Sequence, residues 1–179
     1  ISVDDYGNVR LASKAARQNI DKAGYLPVTR FDAFDTLETT NDLEALFDVL
    51  SSIKGFNGKH PVITPFAMPC NIDFEEMRKN HYAEYKYELL PTTFSKLESL
   101  WPKHYSGTWD LWQYGMSEGY FYPQFHGREH LNLKVFQSNL KLKDKSTLVA
   151  LDNRSYTNIN NIVHPKVSYT GAFDLENIL

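Results

Sequence analysis

The chain has 179 residues, of which 42% are hydrophobic and 23% are charged, and these values are typical of a folded globular protein. The formal net charge is −3 and the lysines are dispersed among acidic residues, so the sequence predicts no nucleic-acid partner. It has no apolar run of about 18 residues, so no transmembrane segment is expected. The single cysteine excludes an internal disulfide and a cysteine-based zinc site. We therefore expect a soluble protein, cytoplasmic or associated with the cell envelope.

Strand-like and helix-like segments alternate along the chain. In chain order they are a strand at 1–3, helices at 11–23 and 43–53, a strand at 61–68, a short helix at 74–79, a strand around 82–87, helices at 92–100 and 108–118, a strand at 119–125, a helix at 131–140, and strands at 148–151 and 167–169. This alternation is typical of an α/β protein with a mainly parallel sheet or barrel. We expect one domain over residues 1–179. The start inside a strand and the helix-like segment at 173–179 indicate a fragment of a longer protein.

Polar residues follow two of the strand-like segments directly. Asp4 and Asp5 come after the first strand, and the stretch from His126 to His130 comes after the strand that ends at Phe125. A glycine follows in each case and allows the backbone to turn sharply. In parallel α/β folds, reactive groups gather at the carboxyl ends of the strands, so both segments are candidates for one site.

The residue types in these segments suit a divalent metal ion. His126 and His130 are four residues apart, so in the first turn of a helix both imidazoles would lie on one face, about 6 Å apart. Two such nitrogens and one carboxylate leave coordination positions for water and substrate, and zinc is the usual metal for such a set. In the Asp4-Asp5 pair, one carboxylate could bind the metal while the other takes a proton from the water. Neighbouring strand residues point to opposite faces, so this requires the chain to leave the strand here.

Each of these residues also has an ordinary structural interpretation. Two histidines at this spacing are often surface residues, Asp5 could cap a helix, and Glu129 could be a helix-turn charge. The two segments support each other because they lie at comparable places in the predicted fold.

Two motifs carry a resemblance to a known family. Val3-Asp4-Asp5-Tyr6-Gly7 resembles TFDDG, the first motif of the polysaccharide deacetylase (NodB-homology) superfamily, and His126-Gly-Arg-Glu-His130 resembles its second motif, H(S/T)xxH. The string at 123–132 is similar to that of a bacterial polysaccharide (de)acetylase-like subgroup. The resemblance spans most of the chain, but only these two motifs are specific.

The resemblance implies a distorted (β/α) barrel of the glycoside hydrolase/deacetylase type, incomplete in this chain. It also implies metal-dependent removal of acetyl groups from a polysaccharide or oligosaccharide. Matched position by position, Asp4 is the catalytic base, and Asp5, His126 and His130 are the metal ligands. The implied cofactor is a divalent metal, zinc before others, and the implied partner is a carbohydrate substrate.

The chain also departs from the family pattern. About 120 residues separate the two motifs, far more than usual, and Gly127 replaces the Ser or Thr that follows the first histidine. The later motifs, with their Arg and Trp segment, are absent from the sequence. Ile162-Val-His164 resembles the final Leu-x-His motif only faintly. The group that would protonate the leaving amine or alcohol is therefore unassigned.

Two other functions are compatible with the sequence. One is a related glycoside hydrolase that uses a carboxylate pair such as Asp4 and Glu129. The other is a degenerate, non-catalytic domain that binds polysaccharide, or assists its export, through Trp109, Trp112 or the tyrosines. Metal dependence separates the deacetylase from the glycoside hydrolase, and acetate release separates it from the binding domain.

Overall fold

The computed structural model describes residues 1–27 and 29–156, and it is mixed α/β. The strands are β1 (Ser2–Tyr6), β2 (Thr64–Ala67), β3 (Cys70–Ile72), β4 (Tyr87–Leu89) and β5 (Gln124–Phe125). The helices are α1 (Lys14–Lys22), α2 (Arg30–Phe34), α3 (Thr40–Ser52), α4 (Phe74–Lys79), α5 (Leu90–Leu100), α6 (Pro102–Tyr105), α7 (Thr108–Ser117), α8 (Leu133–Lys141) and α9 (Lys145–Asp152).

The chain divides into two compact units, and each is built from three separate segments. Unit 1 consists of Ile1–Asn8, Leu37–Asn71 and Glu88–Glu129. Unit 2 consists of Val9–Thr36, Ile72–Tyr87 and the chain from His130 onward.

The sheet of unit 1 is parallel, as the sequence predicts. Its strands have the order β1-β2-β5, with Ser2 opposite Thr64 and Phe66 opposite Gln124. Because all three strands run the same way, their carboxyl ends lie at one edge of the sheet. A second sheet of two strands pairs β3 with β4. Among the described residues no barrel closes, and the distorted barrel stays a prediction.

Helix α3 begins where its cap residues predict. Thr39 accepts the backbone N–H of Asp42, and the Asp42 carboxylate accepts the N–H of Thr39, which is a reciprocal capping box. The apolar face of α3 is buried, and Phe47 packs on Phe121 with ring centroids 5.1 Å apart. Phe47 also lies against α7 at Gly115, where there is no side chain to displace it. The core of unit 1 therefore includes the contact between α3 and α7.

Unit 2 is mainly helical. Leu11, Ile20 and Ala150 form a buried cluster that involves α1 and α9. The helices begin at side-chain caps, and Ser13 accepts the backbone N–H of Ala16 at the start of α1. Arg17 is buried in this unit, and its guanidinium is held by Asp21 and by the backbone carbonyl of Asp32.

Two predicted strands differ from the structure. The apolar run at 148–151 lies inside α9, because Asp144 caps a helix there and the buried residues Thr147, Ala150 and Leu151 follow helical spacing. Of the strand around 82–87, only Tyr87 belongs to β4. His81 and Tyr82 have φ values of 55° and 58°, which is turn and not strand geometry.

The remaining predicted elements match with shifted ends, and the short helix at 74–79 coincides with α4. Helices α2 and α6 are not anticipated by the sequence patterns. The strand expected at 167–169, the helix-like segment at 173–179 and His164 lie outside the described residues. In the described part of the chain no helix has both the length and the apolarity needed to cross a bilayer.

Candidate metal centre

The carboxyl ends of β1 and β5 bring together three of the four predicted site residues, Asp4, Asp5 and His126. The Nε2 atom of His126 lies 3.1 Å from Oδ1 of Asp4 and 3.4 Å from Oδ1 of Asp5. One ligand atom from each residue falls within 4.8 Å of the others. All three residues belong to unit 1.

Both carboxylates reach the same imidazole because β1 is irregular at Asp5. The pairing of β1 with β2 shifts register between Val3 and Tyr6, and Asp5 has a φ of 55°. The sequence argument required a departure from regular strand geometry at this point, and the irregularity lies inside β1, at Asp5. Aspartate is one of the few residues that adopts the left-handed conformation readily, so the ligand type and the backbone geometry are compatible.

The backbone of the neighbouring strand positions His126. Its N–H donates to the carbonyl of Ala67 at 3.1 Å, which continues the parallel pairing of β2 and β5 by one residue. Its ring lies 5.9 Å from the Phe66 ring, at an interplanar angle of 45°. The imidazole is therefore held at the end of the sheet between a ring and two carboxylates.

The segment from His126 to His130 is not the first turn of a helix. Gly127 has a φ of 91°, and α8 begins only at Leu133, where Asn132 caps it by accepting the N–H of Val135. A helical arrangement of His126 and His130 on one face is therefore wrong. His130 is assigned to unit 2 and is not a member of the three-residue group. Its part as a second histidine ligand stays a prediction.

The three side chains are accessible to solvent. The exposed side-chain fraction is 70% for Asp4, 32% for Asp5 and 40% for His126. A pocket of about 380 Å³ opens here and is lined by Ser2, Asp4, Phe66 and His126. A water molecule and part of a substrate can therefore reach the carboxylates and the imidazole.

The distances within the group suit tetrahedral coordination. Metal–ligand bonds of about 2.1 Å at the tetrahedral angle place neighbouring ligand atoms about 3.4 Å apart. The two distances from Nε2 of His126 are close to this value. Nitrogen and carboxylate oxygen together suit zinc and other first-row divalent ions. A histidine–aspartate ion pair without metal fits the same distances, and metal titration distinguishes the two arrangements.

Two acidic residues of unit 1 differ from the sequence expectations. Glu129 is buried and paired with Arg128, which disagrees with its interpretation as a helix-turn charge. No motif or spacing in the sequence marks Glu38 as unusual, yet burial raises the pKa of its carboxyl to about 7. The N–H of Trp112 donates to Glu38 at 2.5 Å and opposes part of this increase.

The tryptophans considered as sugar contacts belong to an aromatic cluster. Trp109 and Trp112 stack with centroids 6.0 Å apart, and Trp112 is only 2% exposed. Both line an apolar pocket of about 420 Å³, together with Phe125, the residue before His126. Trp112 is therefore chiefly a packing residue.

Comparisons with known proteins assign the chain to no family and to no function. No protein-family model matches the chain, and neither the curated proteins nor the solved structures include a significant match to it. The resemblance to polysaccharide deacetylases therefore remains a prediction based on two motifs.

Proposed function

We propose that the chain is a metal-dependent hydrolase, or the metal-binding part of one, that removes acetyl groups from a polysaccharide or oligosaccharide. The observation that carries this proposal is the convergence of Asp4, Asp5 and His126 at the carboxyl edge of a parallel sheet. The motif resemblance supports it independently, because it assigns the same three residues to one centre.

In this proposal each residue has a separate task. Asp5 and His126 would hold the metal. A metal held there would lower the pKa of a coordinated water and polarise the acetyl carbonyl. Asp4 takes the proton from the attacking water, which fits its position as the most exposed of the three side chains. The acid that protonates the leaving group is unassigned.

Metal titration tests the centre directly. We expect the metal-free full chain to bind one Zn²⁺ or Co²⁺, as measured by calorimetry, and His126→Ala and Asp5→Ala to lose this binding. His104 is exposed on α6, so His104→Ala is the matched control and should bind like the wild type. Metal binding that survives His126→Ala would contradict the proposed site.

Acetate release tests the reaction. With metal added, acetylated chitooligosaccharide or acetylated xylan should yield acetate, and a chelator should stop the release. Asp4→Asn should keep metal binding but slow the release by about 10²-fold to 10⁴-fold, because it lacks the base. Metal binding without acetate release would instead favour the non-catalytic polysaccharide-binding alternative. Chelator-insensitive cleavage of glycosidic bonds would favour the glycoside hydrolase.

A further inference from the structure

Arg128 and Glu129 form an unusual ion pair between neighbouring residues. The guanidinium donates to both carboxylate oxygens of Glu129, one through Nε and the other through an Nη atom at 2.6 Å. The side chain of Glu129 is only 6% exposed, whereas that of Arg128 is 43% exposed. The pair therefore places a buried carboxylate under a half-exposed arginine, within the loop that follows His126.

The backbone of this loop is attached to unit 1 on both sides of Gly127. The N–H of His126 donates to Ala67, and the carbonyl of Arg128 accepts the N–H of Cys70 at 3.0 Å. Between these two attachments Gly127 has a φ of 91°, a backbone conformation that glycine adopts readily because it has no side chain. These two backbone hydrogen bonds fix the ends of the loop, but they do not set the torsion angles of the His126 side chain.

The ion pair removes much of that freedom. A buried carboxylate that loses its partner is strongly destabilising, so loop conformations that separate Arg128 from Glu129 are disfavoured. Neighbouring side chains in an extended chain point to opposite sides, and the pairing here is possible only where the backbone departs from that geometry. The pair thus favours one loop conformation, the one in which His126 faces Asp4 and Asp5.

We propose that Arg128 and Glu129 are positioning residues that hold the His126 imidazole over the two aspartates. Neither residue needs to touch the metal or the substrate. The proposal rests on the proposed function only for its metal readout, because the placement of His126 can also be measured without metal.

The experiment uses three variants of the full chain. Arg128→Lys keeps the charge but loses the two-point contact, and Glu129→Gln removes the buried charge. The double variant Arg128→Met with Glu129→Met removes both charges, and such replacements often restore folding stability. Glu76 and Lys79 form an exposed ion pair on α4, so their double methionine variant is the matched control.

We expect Arg128→Lys and Glu129→Gln to weaken Co²⁺ binding about tenfold to a hundredfold and to change the visible absorption of bound cobalt. The Arg128/Glu129 double variant should recover the melting temperature but not the cobalt affinity. A purely structural pair would give affinities that follow the melting temperature, and that result would overturn the proposal. The α4 control should change neither quantity.

A second readout does not depend on the metal. In the metal-free wild type, proton NOEs should connect the ring of Phe66 with the ring of His126, since their centroids are 5.9 Å apart. These NOEs should weaken in all three variants and persist in the α4 control. If the wild type binds no cobalt, the proposed function fails, while the NOEs alone still decide the positioning role. Unchanged NOEs in the variants overturn it.

Discussion

At the scale of single residues, the geometry of the site depends most on the backbone conformation of Asp5. Its left-handed backbone conformation directs its carboxylate toward the imidazole that Asp4 also contacts. An L-residue with a β-carbon is strained in this conformation, although aspartate and asparagine tolerate it better than most. The geometry of the site therefore depends on a position where most residue types would be unfavourable.

This strain predicts that the stability order of glycine and alanine variants is opposite at Asp5 and at Asp4. At Asp5, glycine should give a free energy of unfolding about 1 kcal/mol higher than alanine, because glycine has no left-handed penalty. At Asp4, which is not among the residues with a positive φ, alanine should be more stable than glycine by about 0.5–1 kcal/mol. Urea unfolding of the four variants measures both differences. The same preference at both positions would contradict the assigned backbone conformation.

At the scale of elements, the packing of α3 on α7 depends on the absence of a side chain. A β-carbon on Gly115 would lie 2.5 Å from Cζ and 2.9 Å from Cε1 of Phe47. The Phe47 ring is itself enclosed by Tyr120 and Phe121, so it has little room to move. Glycine in the last turn of α7 is therefore explained by the approach of a neighbouring helix.

Gly115→Ala should destabilise the protein despite the better helix propensity of alanine. Overpacking costs about 1–3 kcal/mol, and the propensity gain of about 1 kcal/mol offsets only part of it. We expect a net loss of about 1–2 kcal/mol in urea unfolding. Gln113 is exposed on the same helix, and Gln113→Ala should stay within about 0.5 kcal/mol of the wild type. A stabilising Gly115→Ala would show that Phe47 does not pack there.

Local signals predict the elements that begin at caps. Thr39 with Asp42 marks α3, and the sequence places α4 at its observed bounds. The run at 148–151 is misread because four apolar residues have no visible period, and only the cap at Asp144 decides for a helix. Helix α2 is short and its helical periodicity is too brief to detect.

The candidate site is predictable in composition but not in geometry. The positions of Asp4, Asp5 and His126 after strand-like segments are visible in the sequence, and so is their convergence at the carboxyl edge of a parallel sheet. The φ of Asp5 and the non-helical path after Gly127 are not visible, because both depend on register and on contacts distant in sequence. The pairing of Arg128 with Glu129 is likewise a result of burial.

At the scale of the whole molecule, stability should depend on pH through Glu38. Burial raises the pKa of its carboxyl from an ordinary value of 4.5 to about 7 in the folded state. Between these two pH values the folded chain holds a proton that the unfolded chain has lost, so folding stability falls as the pH rises. Burial also raises the pKa of the neighbouring Tyr6 hydroxyl, which therefore does not titrate in this window.

Glu38→Gln removes this dependence while keeping an acceptor for the N–H of Trp112. Between pH 4.5 and pH 7.5 the wild type should lose on the order of 3 kcal/mol relative to the variant. Urea unfolding at several pH values gives the difference, and subtraction removes the contributions of groups that both proteins share. Parallel stability curves for the two proteins would show that the carboxyl is not buried in the folded state.

The interleaving of the two units has a consequence for the order in which the protein can assemble. Strand β1 is made first, but its partner β2 follows some 60 residues later and β5 another 60 after that. Unit 2 in turn needs α9, which follows all of unit 1. At a synthesis rate of about 5–20 residues per second, the histidine is made about 6–24 s after the aspartates that it faces. Unit 1 therefore cannot be finished on the ribosome until Glu129 has been made, unit 2 is finished later still, and the candidate centre forms late.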